Sequence, residues 1–168
     1  MERIMQALIE HIKEAMPDLL LVDEDYGQLD MIDSEQDTYP LTMPAVLINA
    51  DAVEWQNRRG LSQMGVATVR VNLILDCYDD HHYGSTTEDR IADRHALLRT
   101  LTEALQGFRP LGTDGAAMVR TASQFATVNH GIKVYSTTYM LEVYEDFEPA
   151  TMKKEAVPRV DTEILDSI

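Results

Sequence analysis

A long run of alternating side chains from residue 65 to residue 77 constrains the fold more than any other feature of the sequence. Every second position in the run is small or apolar, and most positions between them are polar. The first set is Ala67, Val69, Val71, Leu73, Leu75 and Cys77, and the second is Thr68, Arg70, Asn72 and Asp76, with Ile74 as the exception. A period of two is typical of a strand that buries one face. The sequence therefore predicts a long strand here, antiparallel to a buried strand at residues 45–50.

Two other segments have the apolar spacing of amphipathic helices. The first is stopped by Pro17, and its apolar residues are Ile4, Leu8, Ile9, Ile12 and Met16. The second follows the sequence Ser85-Thr86-Thr87-Glu88, which fits a capping box, and extends to residue 106, before Gly107. The apolar stripe of this second helix is Ile91, His95, Leu98, Leu101 and Leu105.

The remaining strands are predicted at residues 19–22, 117–125 and 133–146. An acidic loop is expected at 23–43, and an extended polar connection at 51–64. The fold class that follows is α+β, a mostly antiparallel sheet with two helices packed on one face. Residues 1–147 form a single domain in this interpretation. Residues 148–168 contain Pro149, Pro158 and scattered charge, which predicts a mobile C-terminal tail or arm that orders on a partner.

The charge balance excludes one class of function. The chain has 29 Asp and Glu residues against 14 Lys and Arg, a formal net charge of −15. Such a field repels polyanions, and sequence-specific nucleic-acid binding needs a basic patch. The sequence also lacks an apolar run near the ~20 residues of a spanning helix and the pattern of a signal peptide. We therefore expect no membrane partner and a cytoplasmic location. The single cysteine, Cys77, reads as a small buried hydrophobe.

One cluster has the residue types of a metal site. Asp76, Asp79, Asp80, His81 and His82 follow the long strand, and carboxylates with imidazoles suit a divalent cation. Adjacent residues of an extended chain point to opposite sides, so a polar loop explains the cluster equally well. A small metal-binding module or hydrolase stays open as an alternative. Since no catalytic or phosphate-binding motif occurs, we expect no enzyme activity and no cofactor.

Trp55, Arg58 and Arg59 in the connection at 51–64 indicate a surface for another subunit. Trp and Arg are enriched among the residues that anchor protein interfaces. The alternative is an ordinary surface loop with Trp55 folded back onto the core.

Four segments in order carry a resemblance to a known family. They are A-V-L-I-N-A at 45–50, V-A-T-V-R-V-N-L-I-L-D-C-Y at 66–78, D-R-x-x-L-L-R-x-L-x-x-A-L-x-G-F at 93–108, and V-Y-S-T-T-Y-M-L-E-V-Y-E-D at 134–146. Together with the N-terminal helix, this order resembles the tail-terminator (tail-completion, minor tail) proteins of long-tailed bacteriophages and prophages. The resemblance covers about residues 1–147.

The resemblance implies a homo-oligomer, hexameric in that family, that caps the tail tube. One face of the ring would bind the tail-tube protein, and the other would meet the head–tail connector protein. The protein would act in the cytoplasm of a host bacterium during assembly and then in the virion tail. A neck or head–tail connector protein of the same machinery is the nearest alternative.

Overall fold

In the computed structural model, residues 1–32, 41–78, 82, 84–87, 89–128 and 131–147 are described. They form three α-helices and one five-stranded sheet. The helices are α1 (Glu2–Ala15), α2 (Gln28–Ile32) and α3 (Arg90–Leu105). The strands are β1 (Leu21–Glu24), β2 (Ala45–Asn57), β3 (Ser62–Asp76), β4 (Val119–Val128) and β5 (Ile132–Asp146). The predicted C-terminal tail at 148–168 lies outside the described residues, and the domain division at 147 stays a prediction.

The sheet has the order β1-β2-β3-β5-β4 and confirms the predicted α+β class. β1 runs parallel to β2, and the other neighbours are antiparallel. The strand predicted from the alternation is β3, which lies at the centre of the sheet. Its apolar positions are buried, because β2 and β5 flank it and helices cover one face.

α1 and α3 supply the helix layer. α1 buries Ile4, Met5, Leu8 and Ile12, and α3 buries Leu101 and Leu105. These side chains join the main core cluster with the apolar face of β3 and with Tyr139 of β5. His11 links α1 to α3, since its Nε2 lies 2.9 Å from the carbonyl oxygen of Ala104, and its ring also stacks on Phe108 after α3 at a centroid distance of 3.8 Å.

The opposite face of the sheet has a smaller core at one end. Ala45, Leu47, Ile74, Ile132 and Val134 form this cluster. Leu29 of α2 packs against it, so a short helix lies where the sequence predicted only an acidic loop. No other described helix or strand covers the rest of this face, which we call the open face.

Three sequence predictions are corrected by the structure. The connection expected at 51–64 is a β-hairpin, because β2 continues to Asn57 and β3 begins at Ser62. The predicted capping box at 85–88 is wrong, because α3 begins only at Arg90, with Asp89 as its N-cap residue. The N–H of Arg90 donates to the carbonyl of Thr87, which belongs to a turn before the helix. Ile91 and His95 are exposed, because only the C-terminal half of α3 packs closely on the sheet.

Cys77 is buried directly after β3, as predicted. No helix of the described residues is long and apolar enough to cross a membrane.

Burial of Tyr139 makes the free energy of unfolding depend on pH in the alkaline range. Its side chain is buried, and this burial raises the pKa of its hydroxyl. The contribution to stability is complete below the unfolded pKa of about 10 and is lost as pH rises through the higher folded value. We expect the free energy of unfolding to fall above about pH 10, and to fall less in Tyr139→Phe. Urea unfolding at several alkaline pH values measures this, and an equal fall in both proteins would contradict it.

Candidate assembly surface

The β2–β3 hairpin places Arg58 and Arg59 at one end of the sheet. The ladder between the two strands extends to the pair Asn57 and Gln63. The N–H of Arg58 donates to the carbonyl of Ser62 at 3.0 Å, and the N–H of Ser62 donates to the carbonyl of Arg59 at 3.1 Å. Gly60 supplies the positive φ of +64° that the turn requires. Both arginines are therefore exposed on a short, hydrogen-bonded turn.

Trp55 lies within β2, three residues before the turn. Its cross-strand partner is Gly65, and the indole ring lies over that glycine. A Cβ atom at Gly65 would come within 2.8 Å of Trp55 Cε3 and 2.6 Å of Val53 Cγ1, so glycine is needed for this close packing. Trp55 is nevertheless 39% exposed. The structure thus places it between the two predicted alternatives, with one side packed on the sheet and the other open to solvent.

A groove of about 540 Å³ separates the hairpin from α1. Its apolar lining is Ile4, Val53, Trp55, Leu111 and Val143. The groove forms because β2, β3 and β5 extend beyond the helices that cover the rest of this face. Trp55 provides an exposed aromatic surface in this groove, against which an apolar side chain of a neighbouring molecule could pack.

Arg58 contacts the C-terminal end of β5. Its guanidinium carbon lies 5.4 Å from the centroid of the Tyr144 ring, a cation–π distance. The Tyr144 hydroxyl donates to Glu142 Oε2 at 2.7 Å, and this hydrogen bond is the main reason that the pKa of Tyr144 is raised. Trp55, Arg58, Arg59, Leu61 and Tyr144 are all exposed. We call these five residues the tip patch, a set of exposed aromatic, aliphatic and cationic groups around the end of the hairpin, in which the strand register places Trp55 and Tyr144 on opposite faces of the sheet.

The open face of the sheet carries a polar network. Arg70 Nη2 donates to Asp51 Oδ2 at 2.8 Å. Asn72 Nδ2 donates to Asp25 Oδ2 at 3.2 Å, and Ser136 Oγ donates to Asn72 Oδ1 at 2.7 Å. The alternation in β3 predicted that Arg70 and Asn72 share a face. The partners on other elements could not be read from it.

The predicted metal cluster is described only at its two ends. Asp76 accepts a hydrogen bond from the backbone N–H of Tyr78 at 3.2 Å, and His82 is exposed. Asp79, Asp80 and His81 lie outside the described residues. Within the described ranges, no group of three His, Cys, Asp or Glu side chains could hold a metal ion.

β4 forms an open edge of the sheet. All its residues up to Thr127 are exposed, and Phe125 is 76% exposed. Nothing in the described part of the chain pairs with its outer side. Beside it, a groove of about 250 Å³ lies on the helix face between α3 and β4, lined in part by Leu98, Thr102 and Phe125. The sequence predicted a strand here, but not its place at the edge.

Comparison with known proteins identifies the fold. No family model matches the chain, and no curated protein matches it. The similar solved structures include a chain from the virion of a native gene transfer agent particle. The similarity covers 84% of this chain and 94% of that chain, with a TM-score of 0.50 and 9% sequence identity. At this identity the likeness is one of fold.

Proposed function

We propose that the chain is a structural component of a phage-like virion, and that it assembles as an oligomeric ring that caps the tail tube and joins it to the head connector. The observation that carries the proposal is the fold similarity to a chain of a gene transfer agent virion, which extends over nearly the whole of both chains. The sequence resemblance to tail-terminator proteins supports the same class of protein.

The surface of the molecule is suited to contacts with other proteins. The tip patch presents an exposed tryptophan and two arginines, which are frequent anchors of interfaces. The β4 edge presents an exposed phenylalanine and backbone groups with which no described strand pairs. We assign Trp55, Arg58 and Arg59 to subunit contacts, with a hexamer as the expected assembly. The tail-tube protein and the head–tail connector protein are the expected partners.

The charge of the chain agrees with a channel for DNA. A ring of subunits that each carry −15 has a strongly negative field, which repels phosphate groups instead of binding them. DNA could then pass through such a ring without adhering to its wall. The protein would assemble in the cytoplasm of a bacterial host and remain in the virion tail.

The test is an assay of tube length. A tail-tube protein from the same phage-like particle is polymerised with increasing amounts of the purified chain, and tube lengths are measured in negative-stain images. We expect tubes to shorten as the chain is added and to carry extra density at one end. Tubes of unchanged length and bare ends would contradict the proposal. Binding to the connector alone would favour the neck or connector alternative.

A further inference from the structure

We infer that β4 pairs edge to edge with the free outer edge of β2 in a second copy of the chain, and that this contact builds the ring; the inference rests on the proposed function. The partner is therefore this chain itself. The contact would extend the sheet from one subunit into the next.

The composition of β4 indicates that its edge is covered in the working protein. Thr121 to Val128 are eight consecutive residues without a charge or a proline, in a chain of which 26% is charged. Exposed edge strands normally carry lysine, proline or inward-pointing charge, because an unprotected edge binds other strands. Phe125, Thr127 and Val128 also have high β-propensity, and the segment from Ala122 to Val128 has the low charge of segments that pair readily. An edge of this kind promotes aggregation unless a specific partner strand pairs with it.

A second free edge exists on the other side of the same sheet. β1 pairs with β2 only from Ala45 to Ile48, so the outer side of β2 from Asp51 to Asn57 has no neighbour among the described residues. The two edges differ in sequence, and contacts between two different surfaces run head to tail, which generates a ring when the rotation between copies closes. Three antiparallel steps separate β2 from β4, so the two strands run in opposite directions. If the ring axis has a component along the strands, β4 of one copy would therefore meet β2 of the next copy as an antiparallel pair. Antiparallel pairing is the more stable arrangement.

The charges of the two edges are complementary. β4 carries Arg120 as its only charged residue, whereas the free part of β2 carries Glu54 and also Asp51, which is already paired with Arg70. Pairing two copies of β4 would leave the β2 edge open. Pairing β4 with β2 covers both edges and places a cationic edge beside an acidic one. In a chain of net charge −15, the uncharged and cationic β4 edge is also a surface that an acidic copy can approach.

The offset between the edges matches a closed sheet. Ser123, at the middle of β4, is level with Ile48 of β2 through Thr137 and Val71. Glu54, at the middle of the free β2 edge, is paired with Val66, five residues from Val71, so it lies further along the sheet by about 17 Å, at ~3.4 Å per residue. The four strands from β2 to β4 are about 19 Å wide. Joining the edges of successive copies therefore tilts the strands by about 42°, within the 35–45° of closed barrels.

The same pairing would place Trp55 of one copy beside a groove of the next copy. Its indole lies on the helix face of β2, as does the groove between α3 and β4 on the other side of the molecule. Continuing the sheet keeps both on one side, so Trp55 of one copy points toward that groove in the next. The groove would then receive the exposed part of the ring.

The experiment blocks one edge at a time. The β4-blocked variant is Ala122→Glu/Gln124→Glu/Ala126→Glu, which places like charges against the acidic β2 edge, and the β2-blocked variant is Ala52→Lys/Gln56→Lys, which places like charges against Arg120. All these positions are exposed and lie on the face away from α1 and α3, so the main core is unchanged. A matched control, Ala92→Glu/Ala96→Glu/Thr100→Glu, adds the charge of the β4 set to exposed positions of α3.

Light scattering on a size-exclusion column is the readout. We expect wild type and the α3 control to form rings, and each blocked variant to elute as a monomer. An equimolar mixture of the two blocked variants should form a 1:1 complex, because each retains the edge that the other lacks. Rings that survive both blocks would overturn the edge pairing and leave the tube-capping proposal standing. A β2-blocked variant that dimerises would show β4–β4 pairing and also overturn it.

Hydrogen exchange of the wild-type chain provides a test that needs no variant. Backbone amides of β4 and of residues 51–57 should exchange at least tenfold more slowly in assembled protein than in dilute monomer. Unchanged exchange in either segment on assembly would overturn the inference, even if a blocked variant failed to fold. A wild-type chain that stays monomeric at every concentration would overturn it as well, whereas the tube-length assay fails or succeeds independently of these results.

Discussion

Arg58→Glu/Arg59→Glu is expected to weaken assembly by about tenfold or more, which corresponds to ~1.4 kcal/mol per contact. Arg58 loses its contact with the Tyr144 ring, and Arg59 loses a cation at the tip of the hairpin. Each substitution lowers the charge by two, so the chain changes from −15 to −19. Glutamates in the tip patch would also face an acidic neighbour, where like charges repel. The measurement is the oligomer mass against protein concentration by light scattering.

Two controls separate the causes of this loss. Arg58→Gln/Arg59→Gln removes the cations without adding repulsion, and we expect an intermediate effect. Arg99→Glu reverses the charge of one exposed arginine on α3 and is the control for Arg58→Glu alone. The exposed ion pair that Arg99 forms with Glu103 contributes little to stability. We expect Arg99→Glu to leave the oligomer mass unchanged. An unchanged oligomer size in Arg58→Glu/Arg59→Glu would remove the tip patch from the subunit contact.

Leu8→Ala is expected to have the largest effect on the stability of the subunit. Leu8 is fully buried in α1, at the centre of the cluster that joins the helix layer to the sheet. Removing a buried leucine side chain costs ~2–5 kcal/mol in lost transfer free energy and cavity formation. Domains of this kind are stable by only ~5–15 kcal/mol, so much of the total would be lost. Urea unfolding followed by circular dichroism measures the change.

The matched control for this prediction is Leu20→Ala. Leu20 is 62% exposed, so the same chemical change should alter the free energy of unfolding by no more than about 0.5 kcal/mol. Equal effects at the two positions would contradict the packing of α1 on the sheet. That packing also forms one wall of the groove beside Trp55.

The central strand could be predicted because its signal is local and repeated. The alternate apolar residues of β3 from Ala67 to Leu75 face the same core, and only Ile74 faces the second one, so the period of two survives along most of the strand. The second half of β2 has no such signal. Glu54, Trp55 and Gln56 are all exposed, and without a buried face the alternation that would reveal a strand is absent. The hairpin was therefore predicted as an irregular connection.

The candidate surface was predicted in composition but not in geometry. Trp55, Arg58 and Arg59 were recognised by residue type, since tryptophan and arginine are frequent in interfaces. Their neighbours, Tyr144 and Gly65, come from other strands, and a single sequence does not indicate which strands are adjacent. α2 was missed for a related reason, because a helix of five residues depends on packing against the second core. The open edge of β4 follows from the strand order alone.

The most direct test of ring formation is light scattering on a size-exclusion column across a range of protein concentrations, with negative-stain images of the peak. Purified wild-type chain should give a discrete mass that is a multiple of 19.0 kDa and ring-shaped particles with a central channel. A single species of 19.0 kDa at every concentration, with no rings in the images, would contradict it.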